Sequence, residues 1–319
     1  MARYYRSDES RNAPISSEIT GYAASALAYF GDPDAASRAA VFLRDQGWDP
    51  SSHTFPFEPG SELAYFFDIG IIVRGLLAVW RLTGDESFQE RAREAALSLA
   101  FDFLGEGAFH PVISLPEKQA LPYEPRWSRS PGCYQLKAAL AWREIGDEHA
   151  ARLFETALAQ ALETHETFLS SETDREKQMD RLHAYCYFLE ALLAVADREP
   201  VRRTLAGGIE RVAGLLREIA PQFERSDVCA QLLRVRLIAH RAAGMDLDEG
   251  AAREEAGRVA SYQTLACDPR LRGGFWFGKK GDTMLPFMNP VSTAFGAQAL
   301  ALWDQHCSGC WRFTLDQLI

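Results

Sequence analysis

The side chains able to do chemistry fall into a few short stretches, each polar at its start and apolar after it. Asp180-Arg-Leu-His183-Ala-Tyr185-Cys-Tyr187 sets an acid three residues before a histidine and a tyrosine one turn after it. On a helix His183 and Tyr187 share a face. An Asp-His-Tyr set of this kind can orient an imidazole and pass protons near neutral pH, and Tyr185 adds a further polar ring. The plainer alternative is a capped helix with a hydrogen-bonded core histidine. Asp68 lies in Tyr65-Phe-Phe-Asp68-Ile-Gly70, an acid among aromatics and aliphatics. Burying a carboxylate alone is costly, so Asp68 needs a partner or a wet cavity; Arg74, six positions on, does not share its face. Glu18, in Ser16-Ser-Glu18-Ile-Thr-Gly-Tyr22, either complements a helix N-terminus or supplies a second carboxylate. Hydrolysis of a glycosidic bond takes two carboxylates flanking it, and Glu18 and Asp68, with Asp180 or Asp282 in reserve, are the candidates.

Two further stretches offer binding groups. Tyr123-Glu-Pro-Arg126-Trp127-Ser-Arg129 precedes Tyr134 and Lys137. There Arg126 and Arg129 can clamp a carboxylate, and Trp127 can stack on a sugar; a solvated loop fits equally. Gly273-Gly-Phe-Trp276-Phe277-Gly-Lys279-Lys280-Gly-Asp282 shows no helical period and leads to Asn289, Ser292 and Thr293. Trp276 and Phe277 are stacking candidates, Lys279, Lys280 and Asp282 binding candidates, and Asn289 either lines the site or caps the next helix. Asp227 reads as a cap. The remaining histidines show no metal-ligand spacing, so neither a metal nor a cofactor is expected. Of six cysteines, Cys307-Ser-Gly-Cys310 has redox or metal spacing, but no second pair completes a zinc site, which leaves two reduced thiols.

The elements that must hold these groups are helical hairpins. Gly31-Asp32, Gly84-Asp85 and Gly146-Asp147 each separate an apolar run from a charged amphipathic one, at intervals of a repeat protein. The apolar runs, 17–30, 63–82, 131–145, 180–195, 227–243 and 290–305, predict helices buried on most sides. The charged runs, such as 86–103, 148–168 and 201–219, predict helices with one wet face. Long insertions at 47–61, 105–130 and 267–289 precede apolar helices, which predicts that they gather at the positive N-terminal ends of those helices. The expected architecture is all-α: one domain over residues 1–319, an incomplete double ring of six buried and five outer helices. An open solenoid would fit the same pattern.

The alternation of buried and amphipathic helices, the Gly-Asp hairpins and the Gly273-Gly-Phe-Trp-Phe-Gly278 loop before the last apolar helix resemble the (α/α)6 toroid superfamily. Its sugar-active members are the nearest in pattern: six-hairpin glycosidases, N-acylglucosamine 2-epimerase-like proteins and glycan C5-epimerases. The resemblance spans nearly the whole chain and is architectural. It implies a saccharide or other small-molecule substrate, a pocket at the N-termini of the buried helices, and acid–base chemistry there: hydrolysis, epimerisation or elimination. Terpene cyclases share the toroid, but their Asp-rich motif is absent; lanthionine cyclases share it too, but their zinc signatures are absent.

Composition bounds the alternatives. The chain has 319 residues, 47% of them hydrophobic, and a formal charge of −10. A nucleic-acid partner, which needs a basic face, is not expected, nor is membrane insertion, since the Ile69–Val79 run is broken by Arg74. The start of the chain lacks a signal-like apolar centre, so the expected location is the cytoplasm. A non-catalytic toroid binding glycan or protein is the competing class, and an isoprenoid-processing toroid a third.

Overall fold

The computed structural model describes residues 1–169 and 172–319, and the chain in it forms two compact units. The first comprises Met1–Ala2, Pro14–His165 and Asp316–Ile319; the second comprises Arg3–Ala13 and Glu166–Leu315. Among the described residues there are eleven α-helices: α1 (Ser17–Tyr29), α2 (Pro33–Phe42), α3 (Phe66–Thr83), α4 (Glu86–Phe101), α5 (Gln135–Ile145), α6 (Glu148–Phe168), α7 (Arg175–Leu192), α8 (Glu199–Ile219), α9 (Ser226–Ala243), α10 (Glu249–Ala260) and α11 (Pro290–Cys307). Eight short strands accompany them: β1 (Tyr5–Arg6), β2 (Arg11–Asn12), β3 (Leu63–Tyr65), β4 (Val112–Ser114), β5 (Phe223–Arg225), β6 (Gly278–Lys280), β7 (Thr283–Met284) and β8 (Phe287–Met288). None of the described helices is long and apolar enough to cross a membrane.

The hairpins close as the Gly-Asp pairs dictate. Gly84 and Gly146 end α3 and α5 in the left-handed conformation. Asp85 then accepts the Ser87 N–H, and Asp147 the Ala150 N–H at 2.8 Å, to start α4 and α6. Between α9 and α10 the cap is Asp248, which accepts the Ala251 N–H.

In the first unit α1, α3 and α5 are buried along most of their length, while α2 and α4 each keep a wet face. α3 packs against both α1 and α5, and glycine sets how closely. A Cβ on Gly75 would lie 2.5 Å from the Gly21 carbonyl oxygen, and one on Gly70 would lie 2.6 Å from the Ala138 Cα. The helix backbones therefore touch, a contact no side chain would allow. Toward the other ends Arg74 pairs with Glu144 at 2.6 Å and donates to the Leu318 carbonyl, and fully buried Lys137 donates to the Ile319 backbone oxygen at 2.9 Å. This is the partner that keeps Arg74 away from Asp68. β3 runs straight into α3 and pairs antiparallel with β4.

In the second unit α7, α9 and α11 are the buried helices, and α8 and α10 are amphipathic. Fully buried Arg234 on α9 pairs with Glu190 on α7 and donates to Gln298 on α11 at 2.9 Å, with its guanidinium 3.9 Å over the Phe295 ring. β5 runs straight into α9 and heads the sheet β5-β6-β7; β8 joins β1 and β2 in a second sheet. The stretch before α11, read from sequence as an irregular loop, is thus a β6–β7 hairpin turning at Gly281 (φ 54°). α7 also starts earlier than expected, at Arg175 behind the cap Asp174. Asp180 and His183 consequently sit in its second and third turns, not at its tip.

The glycine contact is testable. Gly70→Ala is expected to lower unfolding stability by roughly 1–3 kcal/mol, because α3 and α5 must part to admit the methyl. Gly207→Ala on α8, where nothing lies within 4 Å of the new Cβ, should stabilise by about 0.4–1 kcal/mol. Urea denaturation of both variants checks this; equal effects would mean the helices yield freely.

Candidate functional site

In the second unit the polar side chains concentrate where β5 turns into α9. Arg225, the last residue of β5, reaches Asp227 through two bonds, Nε at 2.9 Å and Nη2 at 2.7 Å, and donates through Nη1 to Asp180 at 2.7 Å. Its guanidinium lies 4.7 Å over the Phe277 ring. Burial alone would raise the Asp227 carboxyl, but the Arg225 charge, with His183 and hydrogen bonds added, holds it below the usual range. Burial would lower the Arg225 guanidinium, and Asp227 and Asp180 together raise it instead. Ser292 at the start of α11 adds a 3.4 Å contact to Asp227.

Behind this group stands His183. Its Nδ1 lies 2.7 Å from Gln231 Oε1, and its Nε2 lies 2.8 Å from the Tyr187 hydroxyl. The amide oxygen can only accept, so Nδ1 carries the proton and Tyr187 donates to Nε2. Burial first, and the Arg225 charge second, push the imidazole down to about 4. Neutral and engaged at both nitrogens, His183 holds its neighbours in place and is poorly suited to collect a substrate proton.

In the first unit the corresponding place is where β3 turns into α3. Asp68, in the first turn of α3, is buried. Tyr134, just ahead of α5, is fully buried and donates to the Ser130 carbonyl at 3.1 Å. Burial first, and the Asp68 charge next, raise its phenol. The Tyr134 ring meets Phe67 at 5.9 Å and stands edge-on to half-buried Trp127 at 5.0 Å. Asp68, Tyr134 and Trp127, singled out separately in the sequence, thus come together. Glu18 is half-buried in the first turn of α1.

Other expected site residues go elsewhere. Tyr185 lies two positions from His183 and Tyr187, so the helix turns it to the opposite side, onto Phe188 and the Gly208 surface of α8. Asp180 serves Arg225 and not the His183 ring; Asp227, at 3.8 Å from His183 Nδ1, is the nearer acid and is no helix cap. Lys279 faces Glu224 at 3.6 Å, on the sheet face opposite Arg225, because it is paired with Glu224 in the β5–β6 ladder. Asp282 is exposed on the β6–β7 turn. Asn289 uses its side-chain oxygen to cap α11 through the Val291 N–H. Phe277 packs on Phe287 and Arg225, whereas Trp276 remains half-exposed. Arg126 is exposed, and Arg129 is held by Glu124 at 2.7 Å, so the two do not form a clamp. Cys307 and Cys310 are exposed free thiols, and the described residues contain no group of three or more potential metal ligands.

Neither Arg225 nor Gln231 stands out in the sequence pattern. The only signal was Phe223-Glu-Arg-Ser-Asp227, a charged run directly before an apolar helix, which repeats the placement of Tyr65-Phe-Phe-Asp68.

No family model and no curated relative matches this sequence. Solved structures do match, and they define the fold class as an (α/α)6 toroid. Among them is the cellobiose 2-epimerase of Spirochaeta thermophila, at 14% identity and a TM-score of 0.69, covering 92% of this chain and 87% of that one. An unsaturated glucuronyl hydrolase specific for heparin matches at 10% identity and a TM-score of 0.64, over 97% and 91% of the two chains. A GH76 α-mannanase of Bacteroides thetaiotaomicron matches at 11% and 0.62, over 94% and 89%. At such identities the likeness is one of fold. It settles the architecture in favour of a toroid over an open solenoid.

The depressed His183 sets a pH dependence. An unfolded histidine titrates near 6.5, and this one near 4. Its contribution is therefore full above pH 6.5 and is lost as pH falls from 6.5 toward 4, on the order of 3 kcal/mol in all. His183→Gln should flatten that acid limb in denaturation measured at several pH values. In the unaltered protein the His183 ring should show no NMR titration above about pH 5; a midpoint near 6.5 would refute the assignment.

Proposed function

We propose that the protein is a carbohydrate-active enzyme, one domain over residues 1–319, that performs acid–base chemistry on a saccharide at the N-terminal ends of its buried helices. The observation that carries this reading is Asp68: a buried carboxylate at the start of α3, beside the buried phenol of Tyr134 and the half-buried indole of Trp127. Carboxylates among aromatic rings suit sugars, whose C–H faces stack on rings while their hydroxyls donate to acids. The relatives in fold support it, since their names describe an epimerase and two glycoside-cleaving enzymes. Within this reading Asp68 is the acid or base and Glu18 the second carboxylate, which favours bond hydrolysis over proton abstraction by His183. Epimerisation or elimination remains the version in which Tyr187 moves the proton through its bond to His183. In the hydrolytic version half-buried Trp127, edge-on to Tyr134, is the stacking contact beside Asp68. The reading includes a cytoplasmic location, the ordinary compartment for reduced cysteines such as the buried Cys186 and Cys229.

A non-catalytic glycan-binding protein is the second reading, favoured by one fact: His183 has both ring nitrogens engaged internally. The test is turnover of a panel of oligosaccharides in deuterated water. Asp68→Asn is expected to reduce cleavage by about 10²–10⁴-fold, with no deuterium entering a sugar carbon. Deuterium incorporation lost in Tyr187→Phe would select the epimerase or lyase version. Binding with no turnover by the unaltered protein would select the second reading.

A further inference from the structure

We propose that Asp180 is the substrate-facing carboxylate of the second unit, and that the ion-pair network behind it selects a saccharide free of carboxylate, sulfate and phosphate groups. This rests on the carbohydrate reading above and adds to it a contact residue and a substrate class. Exposure falls steeply along the network: the Asp180 side chain is 47% exposed, that of Arg225 is 9% and that of Asp227 is 1%. Asp180 is thus the end that meets solvent, and Arg225 fixes its position by engaging Oδ1.

The charges decide what it can meet. Arg225 is held between Asp180 and Asp227 and stacked on Phe277, which leaves it no open edge for a bidentate grip on a sugar carboxylate. The two other cations of the same sheet are also taken: Lys279 faces Glu224 at 3.6 Å and Lys280 bonds Glu176 at 2.7 Å. His183, the remaining ionisable ring, is uncharged above about pH 4. One guanidinium between two carboxylates leaves the group one charge negative, and that charge emerges at Asp180. A carboxylate held this way accepts sugar hydroxyls and repels an acidic sugar.

The experiment is calorimetric titration of the full chain with neutral, uronic and sulfated oligosaccharides of equal length. The unaltered protein should bind a neutral sugar at least tenfold more tightly than its uronic counterpart. Asp180→Asn should weaken neutral binding about tenfold and narrow the discrimination, while Asp180→Glu, which keeps the charge, should retain the preference. Melting of the unliganded variants separates a binding loss from a folding loss. Preference for the uronic sugar, or an Asp180→Asn variant unchanged in both affinity and preference, would overturn this proposal and leave the carbohydrate reading standing. No binding of any sugar by the unaltered protein would overturn that reading, and this one with it.

Discussion

Arg234 places a full positive charge where no water reaches it, and the second unit is arranged to neutralise that charge. Glu190 arrives from α7, Gln298 and the Phe295 ring from α11, and the guanidinium itself from the middle of α9. Removing one partner of such a buried pair costs about 3–5 kcal/mol, because the other charge is left stranded. The three helices therefore cannot slide or rotate independently. Their register at Arg234 fixes their register two turns away, where Asp227, Gln231 and His183 must meet within hydrogen-bonding distance. Rigidity in the core becomes precision at the polar end.

The first unit meets the same requirement by other means. Gly21, Gly70 and Gly75 let the α1, α3 and α5 backbones touch, and dispersion between close-packed main chains does the locking. Its buried charges, Arg74 and Lys137, are answered by Glu144 and by backbone oxygens of the 316–319 segment, leaving the Asp68 end to aromatic rings. One end is thus acid among aromatics, while the other is a chain of ion pairs. Both follow a short strand that enters its helix without a loop, and strand alternation then decides which residues face the chemistry. In β5 it sends Arg225 one way and Glu224 the other, so that Glu224 takes the Tyr262 hydroxyl at 2.5 Å and holds Lys279.

The helices were legible from sequence because burial and capping are local signals. The apolar runs and Gly-Asp pairs put α3, α5, α9 and α11 within a few residues of where they lie. The apolar pattern makes α7 too short because Arg175–Met179 is mostly polar, although Asp174 caps it. Asp68, Tyr134 and Trp127 were legible as types, since polar groups at the head of an apolar helix have few structural uses. Their partners were not. Whether Asp180 serves His183 or Arg225 depends on β5 lying alongside α7, a contact 45 residues apart in sequence. The hairpin at Gly281 was hidden because two-residue strands carry too little pattern to read.

That long-range pairing changes the chemistry assigned to each group. Read alone, Asp180, His183 and Tyr187 look like a proton relay ready for substrate. Once Arg225 takes Asp180, and Gln231 and Tyr187 take the imidazole, the histidine loses the basicity and the open nitrogen that such a relay needs. What remains able to meet a substrate is the group at the wet end of each arrangement. In the second unit this is a carboxylate anchored from behind. In the first it is the ring of Trp127, edge-on to buried Tyr134. On the proposed reading acid–base work then falls to carboxylates, and Arg225 is the fixed point against which Asp180 is positioned.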